Sequence, residues 1–541
     1  MLRLICFTVL CFTAASANGQ QPAPGGVPGA VAWLTSSVRE DGTPIWIDRF
    51  SEEEGAVGNS IDLPLFNFHP TPRLKGDGAI ASLPLPGRAL LQATVFAVHH
   101  PDDTLAERAV WSLDAGDGRP LLLTTHRLAD LRDTSYLNFL GPEKARPGIK
   151  TYYQRRAPEA ETTMASAPTL LLGAPPGRPR LPVSAYRGLL PELIVYDRVL
   201  SPQERLQVES YLALKYGLTL AGEADYLNGA GEVIWERRRQ GAFVHRLAGI
   251  GRDDQAGLLQ KQSTSSYEPG RLTLSADRPA PDNAANRTEL TDRSWLIWAD
   301  DGGVWDLRPA EFGQPRRLDR TWRLTGHGET PLTTLQAELG RFADEQLPGQ
   351  TYWLLVDRSG TGKFAPGQVD YYPATEITGR AVAAFHGVRW DTDASGSDAF
   401  TLGRGPAFMG LAWQDPPTCV PEAAGQLFIG AVGGQPPYYF QLEGPTGTDR
   451  WQRETGSPLE VGALPAGPYR LTIRDAGGNL FRDSLFFESA DAPSSPLANE
   501  YFLSPDGRLP LDAAATGAAP QRYEWTTPDG RRFEGPRLEI R

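Results

Sequence analysis

Pro191-Glu192-Leu193-Ile194-Val195-Tyr196-Asp197-Arg198-Val199-Leu200-Ser201 runs through Pro202-Gln203-Glu204 to Glu209-Ser210-Tyr211-Leu212-Ala213-Leu214-Lys215-Tyr216-Gly217. The stretch changes period at its middle. The apolar residues between Glu192 and Asp197 form an unbroken run that reads as a core strand. Ser201-Pro202-Gln203-Glu204 is then a capping box with Pro at the first helical position, where its missing N–H costs nothing. Val208, Tyr211 and Leu212 supply an i, i+3, i+4 apolar face, and Gly217 is suited to the left-handed position after the last turn. The spacing predicts one clear helix between a buried strand and a glycine stop.

Outward from this helix the grammar is that of strands. Ala93-Thr94-Val95-Phe96-Ala97-Val98 and Ala109-Val110-Trp111-Ser112-Leu113 precede the turn Asp114-Ala115-Gly116-Asp117-Gly118, and Leu121-Leu122-Leu123-Thr124-Thr125 follows it. Strand, Gly/Asp turn, strand is a hairpin pattern. The composition agrees. Gly 57 and Pro 47 make up about a fifth of the 541 residues, against roughly an eighth in average usage. With 13 Trp, 17 Tyr and 21 Phe to fill cores, that turn density indicates many short strands rather than disorder, and no Gly-X-Y period suggests collagen. The fold class expected is all-β and multidomain. Lys+Arg 53 against Asp+Glu 65 gives a net charge of −12, which provides no electrostatic footprint for nucleic acid or an anionic membrane.

The N-terminus reads as an export signal over residues 1–20. Arg3 is a short basic start, Leu4 to Ala15 an apolar segment, and Ala15-Ser16-Ala17 a small-residue cleavage site. About a dozen apolar residues are too few for a membrane span, which needs roughly 20. The expected location is secreted or cell-surface, with no membrane span. Cys6 and Cys11 lie in the signal, so the mature chain retains Cys419 and closes no internal disulfide. Cys419 sits in Asp415-Pro416-Pro417-Thr418-Cys419-Val420-Pro421, a Pro-rich setting that reads as linker or strand edge rather than nucleophile.

The strand–helix stretch quoted above resembles the end of a laminin-G/concanavalin-A-like jelly roll of the kind found in large surface proteins of bacteria with type IX secretion. Val31-Ala32-Trp33-Leu34, Trp46-Ile47-Asp48 and Asn67-Phe68-His69-Pro70 fit the opening of the same domain. The resemblance implies a two-sheet concanavalin-A-like β-sandwich over 30–220, after a Pro/Gly linker at 21–29. A second, β-rich module of unknown function spans 221–408; its stretches Gly231-Glu232-Val233-Ile234-Trp235 and Ala248-Gly249-Ile250-Gly251-Arg252-Asp253-Asp254 are similar to a module that follows the jelly roll in such proteins. After a linker at 409–419, residues 420–488 resemble the SprB-type repeat of gliding-motility adhesins, with Gly433-Gly434-Gln435-Pro436-Pro437-Tyr438 and Leu464-Pro465-Ala466-Gly467-Pro468-Tyr469. There Tyr469, Leu471 and Ile473 alternate with Arg470, Thr472 and Arg474, giving one buried and one wet strand face. Residues 489–541 look like an incomplete Ig- or PKD-like module around Tyr523-Glu524-Trp525. No sorting domain of the type IX kind is seen, so the chain reads either as a fragment or as cargo of another route.

The search for chemistry yields few candidates. No Glu-x-Asp-x-x-Glu of the laminarinase kind occurs, and Glu192 and Asp197 have the wrong spacing for it. His-Glu-x-x-His and Gly-x-Ser-x-Gly are missing. Gly360-Thr361-Gly362-Lys363 imitates a phosphate loop but reads as a hairpin turn. His99 and His100 should point to opposite sheet faces, and His245 reads as structural, with a ligand role as the alternative. Asp391-Thr392-Asp393-Ala394-Ser395-Gly396-Ser397-Asp398 places oxygens at alternate positions with Gly at the sixth, as at the start of a calcium loop, though Leu402 stands where the closing acid belongs. Asp391, Asp393, Ser395 and Asp398 are thus candidate calcium ligands, the competing reading being an Asx/Ser turn. Trp33, Trp46 and Trp111 are read as core rather than as sugar platforms. The function expected is an adhesin-like protein whose jelly roll binds a glycan or another surface polymer, the other modules being spacers. The alternative is a polysaccharide-processing enzyme or its targeting subunit.

Overall fold

A computed structural model describes residues 22–540 except 40–42, 52–53, 57–62, 78–80, 87–88, 90–91, 104, 115–118, 133, 140–145, 156–167, 177–181, 310–314, 341–348, 366, 379–381, 415–425, 466, 488–508, 513–523 and 527–530. The export signal, Cys419 and the turn at 115–118 lie outside the described residues. The chain is all-β and multidomain. Among the described residues there is one α-helix, α1 (Pro202–Tyr216), and no helix long and apolar enough to cross a membrane.

The first unit is a sandwich of two antiparallel sheets. One sheet runs, in spatial order, Gly148–Arg155, Gln92–Pro101, Arg187–Tyr196, Ala30–Val38, Pro44–Asp48 and Glu54–Ala56. The other runs Ser135–Asn138, Arg127–Asp130, Leu121–Thr124, Arg108–Asp114, Thr169–Leu172 and Ala81–Pro84. Strand alternation divides the central strand Arg187–Tyr196 between two cores. Leu193 and Val195 face the sandwich interior with Trp46, Val95 and Trp111, while Ile194 and Tyr196 face outward into a second apolar cluster. Burial on both faces is the reason for the continuous apolar run.

That second cluster is where α1 packs. Ser201 caps the helix as the spacing predicts, its side chain accepting from Glu204 N–H while Glu204 reaches back to the Ser201 N–H at 2.8 Å. Gly217 terminates α1 with φ +59, and a Cβ there would meet the Thr264 carbonyl oxygen at 2.1 Å. The cluster joins Trp33, Phe66, Phe96 and Ile194 of the sandwich, Val208, Tyr211, Leu212 and Tyr216 of α1, and Trp235, Leu247, Leu258 and Ile297 of the next unit. The expected boundary at 220/221 therefore cuts through a shared hydrophobic core, and 30–220 and 221–408 pack as one body.

Two further devices lock this seam. The hairpin formed by Leu65–Phe66 and His69–Pro70 projects its tip into the second unit. Asn67, held at φ +46, donates through Nδ2 to Lys215 O at 2.9 Å and accepts through Oδ1 from Thr264 N–H at 2.8 Å. His69 Nε2 lies 2.7 Å from Gln260 Oε1. The Pro/Gly stretch at 22–28, expected as linker, is instead a packed strap. Ala23 N–H donates to Gln255 O and Gly25 N–H to Ala256 O, and Pro24, Gly25 and Val27 are buried. Glycine is required here by close approach. A Cβ on Gly26 would stand 2.1 Å from the Gly229 carbonyl oxygen, at φ +78.

At the centre of the seam lies Glu192, fully buried. Its Oε1 accepts from Trp33 Nε1–H at 2.7 Å and Tyr211 O–H at 2.9 Å; its Oε2 accepts from Lys215 Nζ at 2.6 Å and Tyr216 O–H at 2.8 Å. Burial alone would push this carboxyl up. The Lys215 charge and the hydrogen bonds outweigh it and hold Glu192 below its ordinary 4.5. Burial pulls Lys215 down, and Glu192 opposes that.

The second unit stacks an eight-stranded sheet, including His245–Asp253, Ser294–Asp300, Trp322–His327, Ser397–Pro406 and Gln350–Asp357, on a five-stranded one, Gln262–Thr264, Leu272–Ala276, Thr333–Glu338, Val382–Val388 and Glu376–Thr378. Trp298, Trp322, Leu335, Leu354, Phe385 and Trp390 fill the space between. The third unit is a seven-stranded sandwich of Phe408–Gln414, Gln426–Gly433 and Leu459–Ala463 against Gly447–Arg453, Tyr438–Gly444, Gly467–Arg474 and Leu480–Phe487. Tyr469, Leu471 and Ile473 are buried while Arg470 and Arg474 are exposed, as the alternation predicts. The expected linker at 409–419 is corrected in its first half, because Phe408–Gln414 is a strand of this sandwich. Met409 packs with Trp353, Leu355 and Phe364 of the second unit. Beyond it, Leu509–Asp512 pairs with Arg537–Ile540, and Glu524–Thr526 with Arg532–Glu534.

The seam generates two expectations. Lys215→Met strands the Glu192 carboxylate without its cation and should cost about 3–5 kcal/mol in urea denaturation, whereas Glu192→Leu combined with Lys215→Met should recover part of that loss. An unchanged midpoint for the single variant would show the pair to be dispensable. The second concerns pH. Burial, assisted by the Lys215 charge, lowers His69 from 6.5 to about 4. Below 6.5 the unfolded chain binds the proton first, so the contribution of neutral His69 is complete above pH 6.5 and fades as pH falls towards 4, by at most about 3 kcal/mol. His69→Gln should flatten the fall in denaturation midpoint over that window; an identical slope would remove His69 as its source.

Candidate functional site

The residues singled out by sequence fall mostly into structural roles. Trp33, Trp46 and Trp111 are each no more than 1% exposed, core as expected and unavailable as sugar platforms. Glu192, weighed above as half of a carboxylate pair, has both oxygens occupied by the seam, and no substrate reaches it. His99 and His100 do point to opposite faces. His99 is buried beside Tyr186, whereas His100 lies against Phe66 and borders the seam. The Gly360 stretch is the loop of the hairpin joining Gln350–Asp357 to Val369–Pro373, organised by buried Asp357, which accepts from Ser359 N–H at 3.1 Å and Phe364 N–H at 3.2 Å.

The calcium candidates do not form a cation cage. Asp398 is fully buried, and its Oδ2 accepts from the Arg358 guanidinium at 2.9 Å and from Asp391 N–H at 2.6 Å. Asp391 Oδ1 accepts from Gly396 N–H at 2.7 Å, and Asp393 Oδ1 from Ser395 N–H at 3.2 Å. Ser395 Oγ donates to Ser397 O at 3.1 Å. Apart from Asp398 Oδ1, which is buried without a hydrogen-bond partner, these oxygens close their own turn, and the Arg358 guanidinium already supplies Asp398 with a positive charge. Burial pushes Asp398 up to about 6 against the opposing pull of Asp391 N–H and Arg358. Among the described residues no three His, Cys, Asp or Glu side chains are grouped to hold a metal.

What the sequence did not single out is a cleft of about 910 Å³ along the seam. The first unit contributes Arg146 and the start of its edge strand, through Lys150. Helix α1 contributes Glu209, and the chain after it Thr219 and Leu220. The second unit contributes His245, Arg246 and the loop Ser266-Tyr267-Glu268-Pro269. A neighbouring hollow of about 360 Å³ shares His100, Ser266 and Pro269 with it and adds the ion-paired Arg73 and Asp102. His245, read above as structural, is exposed at this cleft rather than held in a core.

The loop from Ser266 to Pro269 is set rigidly. Ser266 N–H donates to Gly217 O at 2.9 Å and its Oγ to Tyr216 O at 2.5 Å, so the end of α1 positions Tyr267. Arg246, at φ +48, forks onto buried Asp300 and approaches Glu268 at 3.8 Å. Arg320 Nη1 donates to Glu268 Oε2 at 2.6 Å. The two carboxyl groups of the cleft differ in character. Burial raises Glu209, outweighing the hydrogen bond it accepts from Thr151 Oγ1 at 2.6 Å. Burial also works on Glu268, but Arg320 and then Arg246 and Arg271 more than offset it and hold that carboxyl low. The cleft therefore offers cations, one carboxyl whose proton affinity burial raises, one whose proton affinity its arginines lower, and the side chains of Tyr267, Ile149 and Leu220. Glu209 could not be picked out in advance, since it lies on the helix between apolar positions and its partners are remote in sequence.

Residues 204–394 match a family described as a domain of unknown function (DUF8202). No curated protein matches the chain. Two solved structures of the NanB sialidase of Streptococcus pneumoniae are similar over 78% of this chain and 80% of theirs. One, of a single-substitution mutant, has 9% identity and a TM-score of 0.18; the other, with Optactamide, has 10% identity and a TM-score of 0.19. Likeness at that level carries no argument about fold or function. The matched family segment begins inside α1 and covers the second unit up to residue 394, short of its strand Ser397–Pro406, so the helix that closes the sandwich also opens the segment the family shares.

Proposed function

We propose that this is a secreted or cell-surface, adhesin-like protein whose jelly-roll unit, together with the module fused to it, binds a glycan or another surface polymer, while the third unit and the tail act as spacers. The observation that carries this reading is the seam cleft. Its volume, about 910 Å³, is ample for an oligosaccharide segment. Its walls combine polar groups able to orient hydroxyls with the ring of Tyr267 and the side chains of Ile149 and Leu220, against which a sugar face can lie. Export, display through a type IX route and the gliding-adhesin character of residues 420–488 belong to the same reading, supported by the N-terminal signal pattern and by the residues that resemble such surface proteins.

A second reading has one observation in its favour. Glu209 and Glu268 line the same cleft, and their surroundings push their proton affinities apart, the arrangement in which one carboxyl acts as acid and the other as base or nucleophile. The polysaccharide-processing alternative rests on that pair.

Mature chain applied to a glycan array should bind a restricted set of glycans, and Tyr267→Ala should weaken that binding by about ten-fold while leaving the thermal midpoint within a few degrees. A blank array together with no adherence to cells or polymer surfaces would overturn the adhesin reading. Release of new reducing ends from β-glucans, agars or alginates, lost in Glu209→Gln, would replace it with the enzymatic one.

A further inference from the structure

We propose that the outer face of the four-stranded sheet in the third unit is a second binding surface, separate from the seam cleft, for an acidic polysaccharide. Its carboxylate or sulfate groups are received by Arg470 and Arg482, and one sugar ring lies against Phe486. The inference goes beyond the spacer role given to this unit and does not depend on what the cleft binds.

Charge in this unit is sorted by side. Residues 408–487 hold five arginines, and four of them, Arg450, Arg470, Arg474 and Arg482, are exposed on one sheet face. Strand pairing fixes that face. Phe440, Leu442, Leu471 and Ile473 point into the core, so their neighbours Gln441, Glu443, Arg470 and Thr472 point away. Arg450 stands opposite Gln441, Arg470 opposite Glu443, Arg474 opposite Tyr439 and Arg482 opposite Thr472. Among the described residues Glu443 is the one carboxyl group to share the face. Asp449 and Asp483 have the inward parity, Asp475 is buried, Glu460 belongs to the opposing sheet and Glu454 follows the end of its strand. With Glu443 counted as fully ionised, the face keeps an excess of positive charge on a chain whose net charge is −12.

The four arginines differ in how far they are committed. Arg474 lies over the Tyr439 ring at 4.9 Å, and Arg450 Nε donates to Gln441 Oε1 at 3.3 Å. Arg470 and Arg482 make no side-chain hydrogen bond, ion pair or ring contact among the described residues. Arg470 also lines a hollow of about 790 Å³ with Pro468, Ser484 and Phe486. Phe486 is 70% exposed. It lies diagonally across the strand pair from Arg470, within reach of it. A ring left in water beside an uncommitted guanidinium suits a charged sugar, because the ring covers the C–H face while the planar fork takes a carboxylate or sulfate in two hydrogen bonds.

The layout favours a polymer. Arg470 and Arg474 are four residues apart on one strand, and Arg450 and Arg482 are three strands apart, which spreads the charge over about 14 Å each way. A chain bearing acid groups at intervals can meet several of these charges, and a single small anion cannot. Nucleic acid fits less well, because its bases need successive ring platforms. Tyr439 is covered by Arg474, which leaves Phe486 as the open ring of the face. Glu443, Thr472 and Ser484 place acceptors in the middle of the face, which sugar hydroxyls can meet as donors and phosphates cannot.

The test is affinity electrophoresis of the full chain from residue 21, with alginate (carboxylated), carrageenan (sulfated), a neutral β-glucan and an oligothymidylate, at about 20 and 500 mM NaCl. The expected result is retardation by one or both acidic polysaccharides that is lost at high salt. Arg470→Gln with Arg482→Gln should weaken it by about five-fold or more, and Phe486→Ala by about three-fold. Arg238→Gln with Arg287→Gln removes the same charge from the exposed surface of the second unit and should leave it unchanged. All these positions are exposed, so melting temperatures should stay within a few degrees of the parent. Alginate binding alone assigns the face to carboxylates, and carrageenan binding alone to sulfates. No retardation by either, tighter binding of the oligothymidylate, or equal effects of the two double variants would overturn the inference. Acidic binding abolished by Tyr267→Ala and indifferent to Arg470 and Arg482 would overturn it too, while leaving the seam cleft as a glycan site.

Discussion

A fully buried carboxylate with four donors is the point on which the structure turns. Glu192 belongs to the central strand of the sandwich, its lysine and two tyrosines to α1, and its tryptophan to the neighbouring strand Ala30–Val38. Leaving such a group ionised in an apolar seam is costly unless every lone pair is met. Here it is met only when α1 lies at one rotation and one height on the sheet. The apolar cluster supplies most of the driving force for docking, since burial is roughly proportional to area and indifferent to direction. The Glu192 network adds what the hydrophobic effect lacks, a requirement for one register. With α1 so fixed, Ser266 can bond to its last turn, Tyr267 takes its place, and the cleft acquires its shape.

The union of the first two units follows from the same placement. A helix lying on a sheet has a second side, and here that side carries the strands of the following unit. The hairpin tip at Asn67 and the strap at 22–28 then reach across the joint from the first unit, each making backbone contacts that an independent domain would direct to solvent. By contrast, the third unit has a core of its own, with Phe440, Leu471 and Ile473 at its centre, and meets the second through a smaller patch around Trp353 and Met409. The molecule is thus a fused pair followed by a more conventional bead.

Local chemistry was readable in the sequence and long-range chemistry was not. The cap, the Pro start and the Gly stop of α1 depend on residues within four positions of one another, and the structure has each where the spacing puts it. The alternation from Tyr469 to Arg474 is equally local. Misreadings arose where one residue type answers to two physical demands. Gly25 and Gly26 occur because a helix backbone and a carbonyl leave no room for a Cβ, yet the same glycines beside prolines look like a flexible tether. The Asp391–Asp398 loop has the oxygen spacing of a calcium site, but Arg358, remote in sequence, had claimed the key carboxylate. The cleft was invisible for a related reason. Its walls come from chain positions near 146, 209, 246 and 267, and only the docking of α1 brings them together.

The strap has a consequence for the order in which the molecule can form. Residues 23–27 are the first described segment to leave the ribosome, but their partners are Val208, Gly229, Gln255 and Ala256. The N-terminal segment therefore has nowhere to settle until some 230 further residues have followed it. The sandwich strand at 30–38 finds Pro44–Asp48 early, but its other edge waits similarly for Arg187–Tyr196. Such late closure makes the early chain a long, uncommitted polymer, slow to collapse into final form because its decisive contacts are far apart in sequence. The beginning of the fused body is therefore among the last of its parts to be fixed, held open until the residues near 256 are in place.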